Sequence, residues 1–399
     1  MKQTTFNTIP EAISALQMGE IIIVCDDEHR ENEGDFVALA EHVTPTIVNF
    51  MITHGRGLLC MPISQEIATK FNLNHMVHQN TDNFSTAFTI SVDHKTNTTG
   101  ISALDRYTTI KELINSESTI NDFRRPGHIF PLIAKTQGIL ERKGHTEATV
   151  DLAKLCGSNH AGVICEIINA DGTMARRDNL IGLAKKFGLK IITIKDLIHY
   201  RKCNDKLVTC EATATLPTKF GNFSIYGYSN ILDKEEIAVI VKGNPKEFVE
   251  PFVRIHSECL TGDAFHSLRC DCGEQLEMSL NTLETENQGL VIYLPQEGRG
   301  IGLINKLKAY KLQQQGFDTF DANIELGFEA DGREYFIAAQ ILKDLEINTI
   351  RLATNNPQKI RELEQFGITV KNRISVKSES HMHNVNYLET KIKKFGHLL

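Results

Sequence analysis

At 399 residues, with 41% hydrophobic and 23% charged side chains, the chain is long enough for two or three domains with ample cores and has an ordinary globular composition. A net charge of −7 argues against a general nucleic-acid binder, although a local basic pocket can still hold phosphates. The N-terminus shows no basic segment followed by a long apolar run, and the first apolar run, Ile21 to Cys25, is too short to span a membrane. Nine cysteines, an odd number and mostly scattered, fit a reducing compartment, so a cytoplasmic location is expected. There is no internal repeat and no low-complexity segment.

The pattern of Ile13 and Leu16 predicts a helix over roughly residues 10–18, followed by a buried strand, Ile21 to Cys25. Directly after that strand comes the acidic stretch DDEHRENEGD, 26–35. Most such stretches are solvated loops. At the end of a strand in an α/β sheet, however, hard carboxylates can hold Mg²⁺ together with substrate oxygens. RKGHTE at 142–147 precedes a helical run through Ala148, Val150, Leu152, Ala153 and Leu155. An Arg-x-Gly before a helix start suits phosphate. Thr146 reads equally well as a plain N-cap, and His145 as a metal ligand or as a surface or satisfied core histidine. At 162–168 a glutamate, Glu166, interrupts an apolar strand; burial of that kind raises a carboxyl pKa and suits acid/base work. A strand at Ile191 to Ile194, a helical turn at 196–202 and polar Asn204-Asp205-Lys206 place a domain boundary near Asp205, giving domains 1–203 and 204–399 with a short linker.

The second half is organised around Cys259, Cys270 and Cys272, spaced C-x10-C-x-C. Three thiolates this close read first as a zinc site whose fourth position is open to water, as in catalytic zinc centres. His256 or His266 would close the site and make it structural. Leu290 to Leu294 reads as a buried strand, PQEGRG at 295–300 as the loop after it, and a helix is expected from Ile301, with Leu303, Leu307 and Tyr310 at i, i+4, i+7. A Gly-bracketed Arg before a helix start suits an anionic ligand. Alternation of apolar strands with helical patterns gives the fold class: α/β (mixed α+β), two layered domains, each a mixed β-sheet covered by helices.

Longer motifs carry two family resemblances. RIHSECLTGDAFHSLRCDCGEQL at 254–276, PQEGRGIGLINKLKAYKLQQQGFDT at 295–319, DGREY at 331–335, LATNNPQKI at 352–360 and the C-terminal YLETK and GHLL resemble GTP cyclohydrolase II. DDEHRENEGD, TTGISALDR at 98–106, RPGHIFPL at 125–132, RKGHTEATVDL at 142–152, AGVICE at 161–166 and DGTMAR at 171–176 resemble 3,4-dihydroxy-2-butanone 4-phosphate synthase. The resemblance implies that the two halves would supply the two precursors of riboflavin, one from ribulose 5-phosphate and one from GTP, with formate released in both reactions.

The resemblance implies functional residues. In the N-terminal half it implies Mg²⁺ (or Mn²⁺) on Glu31 and His145. His128 and Glu166 would serve proton transfer, and Arg30, Glu31, Asp35, Arg142, Lys143, Gly144, His145, Thr146 and Glu166 would bind ribulose 5-phosphate. Lys143 stands where the family usually has a small residue. In the C-terminal half it implies Zn²⁺ on Cys259, Cys270 and Cys272. GTP, accompanied by Mg²⁺, would be bound by Arg254, Ile255, His256, Ser257, Glu258, Gln275, Glu297, Gly298, Arg299, Thr319, Thr354 and Lys359. Asp331 is implied as a proton acceptor and Arg333 as a nucleophile on the α-phosphorus; a guanidinium stays protonated, so charge stabilisation suits Arg333 better. The partners implied are these small molecules and a second copy of the chain as a homodimer, with no nucleic acid and no membrane.

Overall fold

The computed structural model describes residues 6–28, 30–378 and 380–398; His29 of the acidic stretch and Leu399 of the C-terminal motif lie outside them. The chain divides into two compact units, 1–201 and 202–399. The division falls inside the helix Ile194–Asn204, two residues before the expected boundary.

The first unit is built on seven strands: β1 (Ile22–Cys25), β2 (Gly34–Leu39), β3 (Cys60–Ile63), β4 (Val92–His94), β5 (Phe123–Ile133), β6 (Gly162–Glu166) and β7 (Lys190–Thr193). They form one mixed sheet in the order β4-β5-β3-β6-β2-β1-β7. β1 and β2 are buried at every position because both faces of the sheet are covered. Alternate residues go to opposite sides: Ile23, Phe36 and Ala38 pack with the helices Pro45–His54 and Ala103–Leu113, while Ile22, Val24, Val37 and Leu39 pack with Ile9–Gln17 and His145–Leu155. The result is a sheet between two helical layers.

The second unit repeats that principle on another topology. Its strands are β8 (Val208–Thr218), β9 (Gly221–Asn230), β10 (Glu236–Lys242), β11 (Phe252–Ser257), β12 (Gly289–Leu294), β13 (Thr349–Ala353) and β14 (Thr369–Ile374), in the order β14-β13-β11-β12-β10-β9-β8. β14, β13, β11 and β12 run parallel, and β10, β9 and β8 complete the sheet as an antiparallel meander. After β11 the chain crosses through the helix Cys272–Glu286 to β12 on one side; β13 then pairs with β11 on its other side. The carboxyl ends of β11, β12 and β13 therefore frame a topological switch point, where α/β sheets open a crevice for ligands.

Three local expectations change. Glu166 is the last residue of β6 rather than its middle, because the ladder with β2 ends at the Asp35–Glu166 pair. Gly144, not Thr146, is the N-cap of His145–Leu155; Thr146 lies in the first turn, 3% exposed. The helix expected from Ile301 runs Gly302–Gln313 and buries Lys306 and Ala309, leaving Leu307 exposed. Lys306 turns inward because its ammonium meets Cys259 and Glu297.

Candidate active sites

In the first unit, the end of β1, the start of β2 and the end of β6 lie side by side at one end of the central strands. Asp35 and Glu166 stand opposite each other across the ladder. Burial pushes both carboxyls up, and for Asp35 the neighbouring Glu166, Glu31 and Glu33 push further, so two charges here are disfavoured unless a cation joins them. Glu166 Oε2 accepts the N–H of Leu58 at 2.8 Å. His145, 7% exposed, starts the neighbouring helix and donates from Nε2 to the carbonyl of Val24 at 3.1 Å. That fixes the tautomer and leaves the Nδ1 lone pair 3.9 Å from Glu31 Oε2 and from Asp35 Oδ1. One hard cation with bonds of about 2.1 Å spans such a gap, so Glu31 and His145 fit Mg²⁺. Asp26, 9% exposed, holds the loop by accepting from the N–H groups of Asp27 and Glu31 and from Arg30.

Arg30 and Arg142 meet through one loop. The Arg30 guanidinium lies 4.7 Å over the Phe84 ring, while Arg142 donates to Phe84 O, Thr86 Oγ1 and Glu147 Oε2. Lys143 is exposed. His128 belongs to a second cluster: its Nδ1 lies 2.7 Å from Asp93 Oδ2, and its backbone N–H donates to Asp93 Oδ1 at 2.9 Å. Gly100 allows this pairing, since a Cβ there would stand 2.0 Å from Asp93 Oδ2 and 2.5 Å from His128 Nδ1.

In the second unit, Cys259 follows β11, and Cys270 and Cys272 open the helix Cys272–Glu286. Their sulfurs lie within 4.8 Å of one another, Cys259 and Cys270 at 3.6 Å. A tetrahedron with Zn–S bonds of about 2.3 Å has an edge of about 3.8 Å, so the trio fits zinc. Gly262 makes the closeness feasible: a Cβ there would stand 2.9 Å from Cys270 Sγ and 3.1 Å from Cys259 Sγ. Among the described residues the three cysteines alone form the cluster. His256, one candidate for closing it, is turned to Asp263 at 3.0 Å and stacked on Tyr293, and His266 does not join it. Lys306 Nζ donates to Cys259 Sγ at 3.1 Å, to Thr261 Oγ1 and to Glu297 Oε1. Thiol donors from Cys270 and Cys272, together with that ammonium, hold the Cys259 pKa well below the usual thiol range.

A cleft opens beside the cysteines, lined among others by Glu258, Glu297, Arg299, Lys306, Thr319 and Arg333. Arg299 adopts φ 67° after Gly298 at φ 63°, which turns its side chain inward, 7% exposed. Asp331 receives a fork from Arg333, with Nε at 2.8 Å and NH2 at 2.5 Å, and Arg299 NH1 at 3.4 Å. Burial would raise the Asp331 carboxyl, but Arg333 and Arg299 hold it below its usual range. Burial lowers the Lys359 pKa, and Arg254 and Arg333 lower it further. Tyr335 Oη, Arg254 Nε and His256 Nδ1 are buried without a hydrogen-bond partner among the described residues. Tyr335 Oη and Arg254 Nε are donors that an anionic ligand would satisfy, whereas His256 Nδ1 is an acceptor because its Nε2–H goes to Asp263.

The 3,4-dihydroxy-2-butanone 4-phosphate synthase family model matches residues 10–200, and the GTP cyclohydrolase II family model matches residues 209–375. The riboflavin biosynthesis proteins RibBA of Bacillus cereus and Bacillus subtilis are each 58% identical to this chain, covering 99% of it and 99% of their own length. The chain belongs to the RibBA family. It is a bifunctional enzyme of riboflavin biosynthesis, with a 3,4-dihydroxy-2-butanone 4-phosphate synthase domain and a GTP cyclohydrolase II domain. It is also similar to the solved RibBX of A. baumannii, described as a two-domain 3,4-dihydroxy-2-butanone 4-phosphate synthase (35% identity, TM-score 0.68, 94% of this chain and 100% of that one). No helix among the described residues is long and apolar enough to cross a membrane.

Within this RibBA chain, the structure brings Glu31, Asp35, His145 and Glu166 to one end of the central strands, and Arg30, Arg142 and Glu147 to a common loop. Ser257, Glu258, Glu297, Gly298, Arg299, Thr319 and Arg333 line the cleft. Arg254, His256, Gln275, Thr354 and Lys359 are buried. Ile255 is a core residue of β11 whose carbonyl accepts from Lys359 Nζ at 2.7 Å. Sequence reasoning left out Asp93, Asp263 and Lys306. Asp93 falls between the quoted motifs, whereas Asp263 and Lys306 lie inside them and carried no signal apart from the resemblance.

Proposed function

We propose that each domain works with its own metal: a divalent cation on Glu31 and His145 in the synthase, and zinc on Cys259, Cys270 and Cys272 in the cyclohydrolase. The supporting observation is that each unit holds its own donor set beside its own cationic residues. In the synthase, the cation would supply Lewis-acid polarisation of the ribulose 5-phosphate carbonyl. Glu166, with a raised pKa, moves the proton on the neighbouring carbon. His128 donates from Nδ1 to Asp93 and keeps its Nε2 lone pair for a second proton transfer. Arg142, pre-oriented by Glu147 and Thr86, binds the phosphate with the N–H groups at Gly144 to Thr146; exposed Lys143 adds charge at the rim.

In the cyclohydrolase, zinc would supply an activated water for opening the guanine imidazole ring. Arg299, Arg333, Arg254 and Lys359 hold the triphosphate with its Mg²⁺. Burial and the neighbouring Arg254 and Arg333 disfavour the charged form of Lys359, and arriving phosphates would compensate it. Arg333 stays protonated, fixed by Asp331, and stabilises charge at the α-phosphorus. Asp331 is ionised and able to accept a proton, but as a weak base. The protein works as a cytoplasmic homodimer. The test is formate release by the purified chain from GTP and from ribulose 5-phosphate separately, before and after zinc depletion. Formate from both substrates is expected, with the GTP reaction alone lost on depletion. Formate from only one substrate would reduce the other domain to a scaffold.

A further inference from the structure

The motif YLETK at 387–391 lies beyond residue 375, where the match to the cyclohydrolase family ends. It nevertheless reaches the site. Tyr387, on the helix Val385–Lys393, lines the cleft, and the Arg299 guanidinium sits 3.6 Å from the Phe395 ring centroid. Lys391 is 7% exposed, and its ammonium donates to Asp271 Oδ1 at 2.5 Å. Asp271 is completely buried between Cys270 and Cys272. Its other oxygen accepts from Gln275 Nε2 at 2.7 Å, and Gln275 Oε1 in turn accepts from Arg254 NH2 at 2.7 Å. A fully buried carboxylate needs a compensating charge and filled lone pairs. An amide has one donor end and one acceptor end, so anchoring the donor end of Gln275 on Asp271 aims its acceptor end at Arg254. His397 Nε2 is buried with no hydrogen-bond partner among the described residues, and Lys391, Arg299, Arg333 and Lys359 all act on that ring electrostatically. The tail thus adds a cation and an orphaned polar atom on the side where the arginines converge.

We propose that Lys391 is a positioning residue of the cyclohydrolase site, acting through Asp271 and Gln275 to orient Arg254; this rests on the GTP reading of that site. The test compares the full-length, zinc-loaded chain with its Lys391→Met and Lys391→Arg variants. Formate release from GTP gives KM and kcat, zinc per chain is measured on the same samples, and ribulose 5-phosphate turnover reports the other domain. In Lys391→Met the KM for GTP should rise about tenfold, equivalent to about 1.4 kcal/mol. Zinc content and ribulose turnover should hold, and Lys391→Arg should recover most of the loss. An unchanged KM in Lys391→Met overturns the proposal. So does loss of zinc with a normal KM in the fraction still loaded, because Lys391 would then only brace the cysteine turn. Should Lys391→Met fail to fold, Lys391→Gln keeps a donor for Asp271 without the charge and must show the same rise in KM. An unaltered enzyme that does not turn over GTP would instead defeat the reading of the site, whatever the variants do.

Discussion

At the scale of single residues, the two sites differ in how they handle charge. The synthase gathers carboxylates whose protonation is favoured by burial and mutual repulsion, and His145 presents a fixed lone pair to them. The cyclohydrolase gathers cations, and the basic groups caught among them, Lys359 and His397, are pushed towards neutrality. His397 shows the consequence: burial, and then Lys391 and Arg299, depress its pKa to about 3. The unfolded chain binds a proton there below about pH 6.5 and the folded chain does not, so protons favour unfolding across that interval. Stability of the second unit should therefore fall as pH drops from about 6.5 towards 3. Melting temperatures at pH 7.5 and pH 5 check this: His397→Gln should lose less between the two than the unaltered chain. An equal loss would show that His397 contributes nothing to the pH dependence.

At the scale of elements, each site is made by where strands stop. β6 ends at Glu166, β11 delivers Cys259, and the turn after β12 rotates Arg299 inward through two left-handed residues. The four-residue helical turn Leu260–Asp263 holds Gly262 against all three cysteines, leaving no room for a methyl group. Gly262→Ala should spread the sulfurs, at a cost typical of overpacking, about 1–3 kcal/mol. Zinc should then be lost to a chelator at lower concentration and GTP turnover should fall with it. Unchanged zinc retention would mean that the turn moves aside freely.

The helix Gly302–Gln313 makes the same point about pattern. Its leucine spacing predicts an apolar inner face, yet Lys306 points inward because the Cys259 sulfur and Glu297 compensate its charge. Periodicity registers hydrophobic burial, and a buried ion satisfied by distant partners leaves no trace in it.

At the scale of the molecule, each of the two α/β units carries its own family match and its own candidate site. Glu166→Gln should therefore lower formate release from ribulose 5-phosphate at least a hundredfold, the order expected when an acid/base is removed. GTP turnover and the far-UV spectrum should stay as they were. Parallel assays on one preparation decide it, and normal ribulose turnover would remove Glu166 from the mechanism.

The sequence alone determined the two-domain α/β class and the family membership of each half, and it nominated the candidate site residues. Those depend on local composition, strand and helix periods, and contiguous motifs such as C-x10-C-x-C and DDEHRENEGD. Only the tertiary structure decided that Glu166 faces Asp35, that Asp93 holds His128, that Lys306 rests on Cys259, and that Lys391 neutralises Asp271 from 120 residues away. Each of these is a pairing of polar groups between strands or helices distant in the chain. Its free energy comes from exclusion of water at the contact, which exists only once the sheets have closed.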